Sequence, residues 1–174
     1  MDRYFEILRK NASSEQSFGI ILRHSLEVLA KSVEIINRKR LYKEVDFNLI
    51  ISGAILHDIG TFKFLENESK EGYIKHGVIG GEILRREGLE KEALIAERHT
   101  GSGLTKEEIE KNGWDLPHQD FLPVSLEEKI ICYADKFSSK NPDKKDTLET
   151  ILKEFDGYGE KSLERFLELK GMFE

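Results

Sequence analysis

Cysteine is almost missing from this sequence. A single thiol, Cys132, in 174 residues excludes an intramolecular disulfide. It points to a reducing compartment and makes the cytoplasm the expected location. Proline is scarce too, three in all, and with no fixed-period repeat or low-complexity tract there is little room for a long linker. No apolar run is long enough to span a bilayer. The opening stretch, MDRYFEILRKNASSEQ, lacks the apolar core of a signal peptide. Alternating runs bounded by hairpin turns, the mark of strands, are absent as well. There is also no basic excess: the formal net charge is -6. That speaks against general nucleic-acid binding, which needs a positive surface. It leaves a small anionic substrate open, because the field local to a site matters more than the total.

What is present is a globular mixture, 39% apolar and 34% charged, of a length that suits one compact domain. The periodicity is helical nearly throughout. Ser13, with Gln16 three residues on, reads as a capping box. A long amphipathic helix follows through Ile20, Ile21, His24, Val28 and Ile35, ending between Asn37 and Leu41. Asp46 caps a second helix that runs into His57-Asp58 and is stopped by Gly60. Thr61 to Gly72 reads as a loop, and a third helix spans about Tyr73 to Gly88. Its Gly77, Gly80 and Gly81 are poor helix formers, which points to close approach by another helix. Further helices are expected over Glu90 to His99, after Thr105, after Ser125 up to a break at Pro142, and over Lys145 to Phe155 and Tyr158 to Leu169. Gly113 to Pro123 should be a structured loop. The fold class is all-α.

Several polar side chains stand where apolar ones belong. His24 shares a face with Ile21 and Val28. His57-Asp58 closes an apolar run, His76 opens the glycine-rich helix, His99 ends the Ala-Leu-Ile-Ala helix, and Asp135 ends Ile-Ile-Cys-Tyr-Ala. An unpaired carboxylate in a core is costly, and metal coordination satisfies it. Imidazole and carboxylate together suit divalent transition metals: iron or manganese foremost, with zinc, cobalt, nickel or magnesium as further candidates. A natural division gives one ion His24, His57, Asp58 and Asp135. A second takes His76, His99 and the other oxygen of Asp58. Such a pair activates water as hydroxide near neutral pH and offsets charge on a phosphoryl group.

This order of residues resembles the HD superfamily of metal-dependent phosphohydrolases. The pattern is His24, the doublet His57-Asp58 continuing as Ile59-Gly60, and the distant Asp135. His76 and His99 are similar to the branch that holds two metals, which includes symmetrical diadenosine tetraphosphate hydrolases, as is Lys129-Ile130-Ile131-Cys132-Tyr133-Ala134-Asp135-Lys136. The resemblance covers about residues 16 to 140. It implies an HD domain over 1–140, with 141–174 as a helical extension packed on it. It further implies hydrolysis of a phosphoester or phosphoanhydride by a metal-bound hydroxide, with His57 and Asp58 as catalytic residues. The expected partner is a small phosphorylated substrate, a nucleotide foremost, and no membrane. The sequence does not set the oligomeric state.

The chain departs from many relatives at Thr61, where they carry a lysine able to meet phosphate. Lys63, Lys75, Arg98 and Lys136, and the loop Thr100-Gly101-Ser102-Gly103, are the candidates for that contact. His118 reads as structural or exposed, and Cys132 as inert packing. Phe155, Phe166 and Phe173 read as packing of the tail helices. Two other readings stay open: a mixed-valent diiron oxygenase with the same ligands, and a nucleotide sensor that keeps the metals without turnover.

Overall fold

The structure is a computed structural model that describes residues 2–65, 70–141 and 146–174. Helices α1 (Asp2–Asn11), α2 (Glu15–Lys39) and α3 (Phe47–Leu56) come first. A 3-10 helix over Ile59–Lys63 and the single turn α4 (Lys70–Tyr73) lead to α5 (His76–Arg86) and α6 (Glu90–Arg98). Then follow α7 (Lys106–Asn112), α8 (Leu126–Asp135), α9 (Leu148–Tyr158) and α10 (Glu160–Phe173). Among the described residues no strand forms; only isolated bridges join Gly101 to Gly103 and Leu104 to Phe121. The all-α class holds. No described helix is long and apolar enough to cross a membrane.

Local chemistry sets most boundaries. The box at the start of α2 is one residue later than expected: Ser14 accepts from the Ser17 amide, and Ser17 answers to the Ser14 amide. Serine at the third helical position can do what a glutamine there would do. The helix ends at Arg40 in the left-handed region. Asp46 caps α3 through the amides of Asn48 and Leu49, as expected. Thr105 and Glu108 cap α7 reciprocally. Replacing Thr105 with alanine leaves that first turn uncapped. It should cost about 1 kcal/mol, measured as a lowered urea midpoint. The break expected at Pro142 and the start expected at Lys145 lie outside the described residues.

Two apolar cores meet side by side. One joins Ile35 and Ile36 of α2, Ile50 and Ala54 of α3, Ile130 to Ala134 of α8, and Phe155, Phe166 and Phe173. The other joins α1 to Phe18, Ile21, Leu56, Ile59, Leu84 and Ala96. Helix α3 serves both, and its stretch Leu49–Leu56 is buried at every position but Ile51, as a helix apolar on all sides must be. In the tail, Phe155 stacks on Phe166 at 4.5 Å, and Phe166 lies 5.6 Å from the Tyr133 ring. The glycines of α5 do admit a neighbour. A Cβ on Gly77 would lie 2.7 Å from the Ala96 carbonyl oxygen, and one on Gly81 would lie 2.5 Å from Glu97 Cγ. Small residues here let α5 lie directly on α6. The imidazoles and acids singled out from sequence sit along the seam between the two cores.

A second expectation needs correction. Gly60 does not end α3 in a left-handed conformation. The helix closes at His57, whose amide donates to the Gly53 carbonyl, and Gly60 lies inside the 3-10 helix. Contact, rather than backbone sign, demands the glycine: a Cβ there would meet the His76 carbonyl oxygen at 2.0 Å.

Candidate metal centre

Helix ends supply the histidines. The last carbonyls of a helix have no partner within it. His57 takes up one of them, its Nδ1 donating to the Ala54 carbonyl at 2.9 Å. His99 does the same to Ala96 at 2.7 Å, and His76 to Tyr73 at 2.6 Å. A carbonyl only accepts, so each Nδ1 must carry the hydrogen, and each neutral ring turns a bare Nε2 lone pair the other way. His24 comes from the middle of α2. Ser138 donates its hydroxyl hydrogen to Glu27 and so accepts from His24 Nδ1 at 3.0 Å. Its Nε2 therefore faces inward too.

All of these Nε2 atoms converge on Asp58, which follows α3 at φ -102° and ψ 11°. Oδ2 of Asp58 lies 3.3 Å from His24 Nε2 and 3.9 Å from His57 Nε2. Oδ1 lies 3.5 Å from Nε2 of both His76 and His99. Asp135 completes the first group, its Oδ1 at 3.0 Å from His24 Nε2 and 3.5 Å from His57 Nε2. The carboxylate of Asp58 thus faces His24 and His57 with one oxygen, and His76 and His99 with the other.

These atoms fit divalent cations. Nε2 of His24 stands 3.2 Å from Nε2 of His57, and those of His76 and His99 are 3.0 Å apart. In neutral rings already donating from Nδ1, each close pair sets lone pair against lone pair, which a metal cation between them relieves. Asp58 Oδ2 is buried and has a cation against it already, the Lys140 ammonium at 2.6 Å. Ligand atoms within 4.8 Å of one another form the overlapping groups His24-His57-Asp58, His57-His99-Asp135 and Asp58-His76-His99. Nitrogen and oxygen donors of this kind suit transition metals.

Electrostatics agree. Burial pushes His24, His76 and His99 below the ordinary imidazole range, His76 to about 3, so they stay neutral and able to ligate. Burial would also lower His57, but Asp58 and Asp135 beside it raise it instead. Burial alone would raise Asp58 and Asp135. The Lys140 and Lys136 ammoniums, with the surrounding imidazoles, hold both well below the usual carboxylate range. A pocket of roughly 1340 Å³ opens on the centre, lined by His76, His99 and Asp135 and walled on its far side by α9 and α10.

The profile of the HD domain family matches residues 21–140. This chain belongs to the HD domain family. The uncharacterized protein MJ0778 of Methanocaldococcus jannaschii is 41% identical over 84% of this chain and 79% of its own length. Two proteins named tRNA (cytidine(56)-2'-O)-methyltransferase match as well. The one from Picrophilus torridus is 37% identical over 72% of this chain and 33% of itself, and that from Thermoplasma volcanium 38% over 68% and 31%. The chain spans about a third of each methyltransferase. Among solved structures, the HD domain of the Listeria monocytogenes phosphodiesterase PgpH in complex with cyclic-di-AMP shares the fold. Its TM-score is 0.54 at 18% identity, over 96% of this chain and 92% of that one. The same PgpH domain in a second structure gives a TM-score of 0.55 at 15% identity, over 95% and 94%.

The candidate phosphate contacts of this HD domain divide. Thr100, Gly101, Lys136 and Lys75 line the pocket. Lys136 Nζ reaches Asp135 Oδ2 at 2.6 Å and the His99 carbonyl at 3.2 Å. Lys63 and Arg98 stand apart from it. Lys63 is exposed on the 3-10 helix, and Arg98, about 100° around the helix from His99, is held by Glu128 at 2.9 Å. His118 is exposed, and the Cys132 thiol is buried and pushed up to about 12 by that burial. Thr61 is not idle: its hydroxyl donates to Asp58 Oδ1 at 2.9 Å and orients the carboxylate. Ser138 and Lys140 had no signal in the sequence, because they follow α8 where helical spacing no longer applies.

Proposed function

We propose that this HD domain binds two divalent ions and hydrolyses a phosphoester or phosphoanhydride of a nucleotide or related small molecule. The observation that carries the reading is the divided carboxylate of Asp58, each oxygen turned toward its own set of imidazoles. His24, His57, Asp58 and Asp135 would hold one ion, and His76, His99 and Asp58 the other. Bound ions of this kind supply Lewis acidity to a phosphoryl oxygen and lower the pKa of water toward neutrality.

The chain's own residues do the rest. The Nδ1 hydrogen bonds lock the rings, so little reorganisation is needed on binding. Thr61 keeps Asp58 from rotating. Lys136, pinned by Asp135 and the His99 carbonyl, places fixed positive charge beside the reacting phosphoryl group. The pocket is larger than a phosphate requires, and its size suits a nucleoside carried on that phosphate. PgpH's complex with cyclic-di-AMP lends support to a nucleotide.

The test is direct. The protein loaded with manganese or iron should carry two ions per chain by elemental analysis. It should release phosphate or nucleotide from at least one member of a panel of mono-, di- and cyclic nucleotides and dinucleoside polyphosphates. A fully loaded protein with no turnover on that panel would overturn the proposal. Oxygen uptake with an inositol would instead move the site to the oxygenase class.

We further propose that the extension from Asn141 is part of the substrate pocket. Tyr158 of α9 lines it and is 59% exposed, with its ring against Phe155. Stacking of a base on an aromatic ring is worth about 1–3 kcal/mol. Tyr158→Ala should therefore raise KM for the best nucleotide by about tenfold and leave kcat near its wild-type value. An unchanged KM would remove the extension from substrate binding.

A further inference from the structure

A lysine ammonium already stands inside the carboxylate cage. Lys140 Nζ lies 2.6 Å from Asp58 Oδ2, the oxygen that also faces His24. At that distance the ammonium and the carboxylate form a close, charge-assisted pair. The backbone beneath it is fixed: the Arg23 guanidinium donates to the carbonyls of Ser139 at 3.2 Å and Lys140 at 2.8 Å. The neighbouring Ser138 is tied to His24 and Glu27. Movement of the ammonium is thus movement of its side chain alone. That side chain is one-quarter exposed, its ammonium is 5.6 Å from the Tyr73 ring, and it lines the pocket.

Asp58 Oδ2 cannot serve an ammonium and a divalent ion equally well. Two cations sharing one oxygen in a low-dielectric site repel strongly. The ion has the greater charge and also takes the lone pairs of His24 and His57. The ammonium is the partner that yields, and the pocket is the open space beside it. Resting on the two-metal reading, we infer that Lys140 is the resident counter-ion of the metal-free centre, and that the entering ion displaces it into the pocket, where it contacts the substrate phosphate. It takes the place of the lysine that many relatives carry where this chain has Thr61.

Two affinities test this, with the metal alone and inorganic phosphate as probes. Calorimetric titration of metal-free protein with manganese should show Lys140→Gln binding the ion about tenfold more tightly than wild type, because a competing charge is gone. Manganese-loaded Lys140→Gln should bind inorganic phosphate about tenfold more weakly than loaded wild type. Lys140→Met, a second neutral variant, should repeat both shifts. Lys153→Gln, which removes a charge from the exposed face of α9, should repeat neither. An unchanged manganese affinity or an unchanged phosphate affinity in the neutral variants overturns the inference. A wild-type protein that takes up no manganese at all overturns the two-metal reading beneath it, and so is told apart.

Discussion

Asp58→Ala is expected to strip the centre of both ions and abolish turnover together. Asp58 turns one oxygen toward each set of imidazoles, with Oδ2 at 3.3 Å from His24 and Oδ1 at 3.5 Å from His76 and His99. Its loss removes a ligand and a full negative charge from each half. It also leaves the Lys140 ammonium with one carboxylate fewer to offset it, an arrangement that repels cations further. Metal content should fall from two ions per chain to near none, and the rate on any active nucleotide by about 10³-fold or more, since metal charge contributes several kcal/mol to the transition state. Elemental analysis and the rate should be measured on the same preparation. Asp58→Asn keeps the volume and isolates the effect of charge. Retention of both ions by either variant would show that Asp58 does not bridge.

Gly60→Ala should damage the fold and one half of the centre at once. The added methyl would meet the His76 carbonyl oxygen at 2.0 Å and the Gly80 amide nitrogen at 2.6 Å. Both are backbone atoms, so no side chain can rotate away. The 3-10 helix must part from α5, and overpacking of this sort costs about 3 kcal/mol or more. His76 begins α5 and moves with it. The His24, His57 and Asp135 group is carried by α2, α3 and α8 and stays in place. A large fall in the urea midpoint should therefore accompany a drop in metal content from two ions toward one. A midpoint equal to that of wild type would mean that the two elements separate freely.

Much of this was legible in the order of residues. The helices and most caps, such as Asp46 and Thr105, depend on neighbours within a turn, so a local pattern reveals them. The candidate ligands were visible because His24, His57, Asp58, His76, His99 and Asp135 interrupt apolar runs. Where local pattern and structure differ, the cause is shared. Either Ser13 or Ser14 fits the cap by pattern, and only the fold chooses Ser14. A glycine after a helix has the local meaning of a stop, whereas the role of Gly60 depends on α5 lying against it. Lys63 and Arg98 are near the ligands in the chain, but their directions around their helices take them elsewhere.

The sequence by itself determined the helical class, the family and the chemical character of the donors, because periodicity, capping and side-chain type are properties of short segments. Only the tertiary structure decided which oxygen of Asp58 meets which imidazole, and that a lysine beyond α8 comes to rest against that oxygen. Those are relations between side chains far apart in the chain. They arise only when two apolar cores close on each other and leave their polar residues facing along the seam.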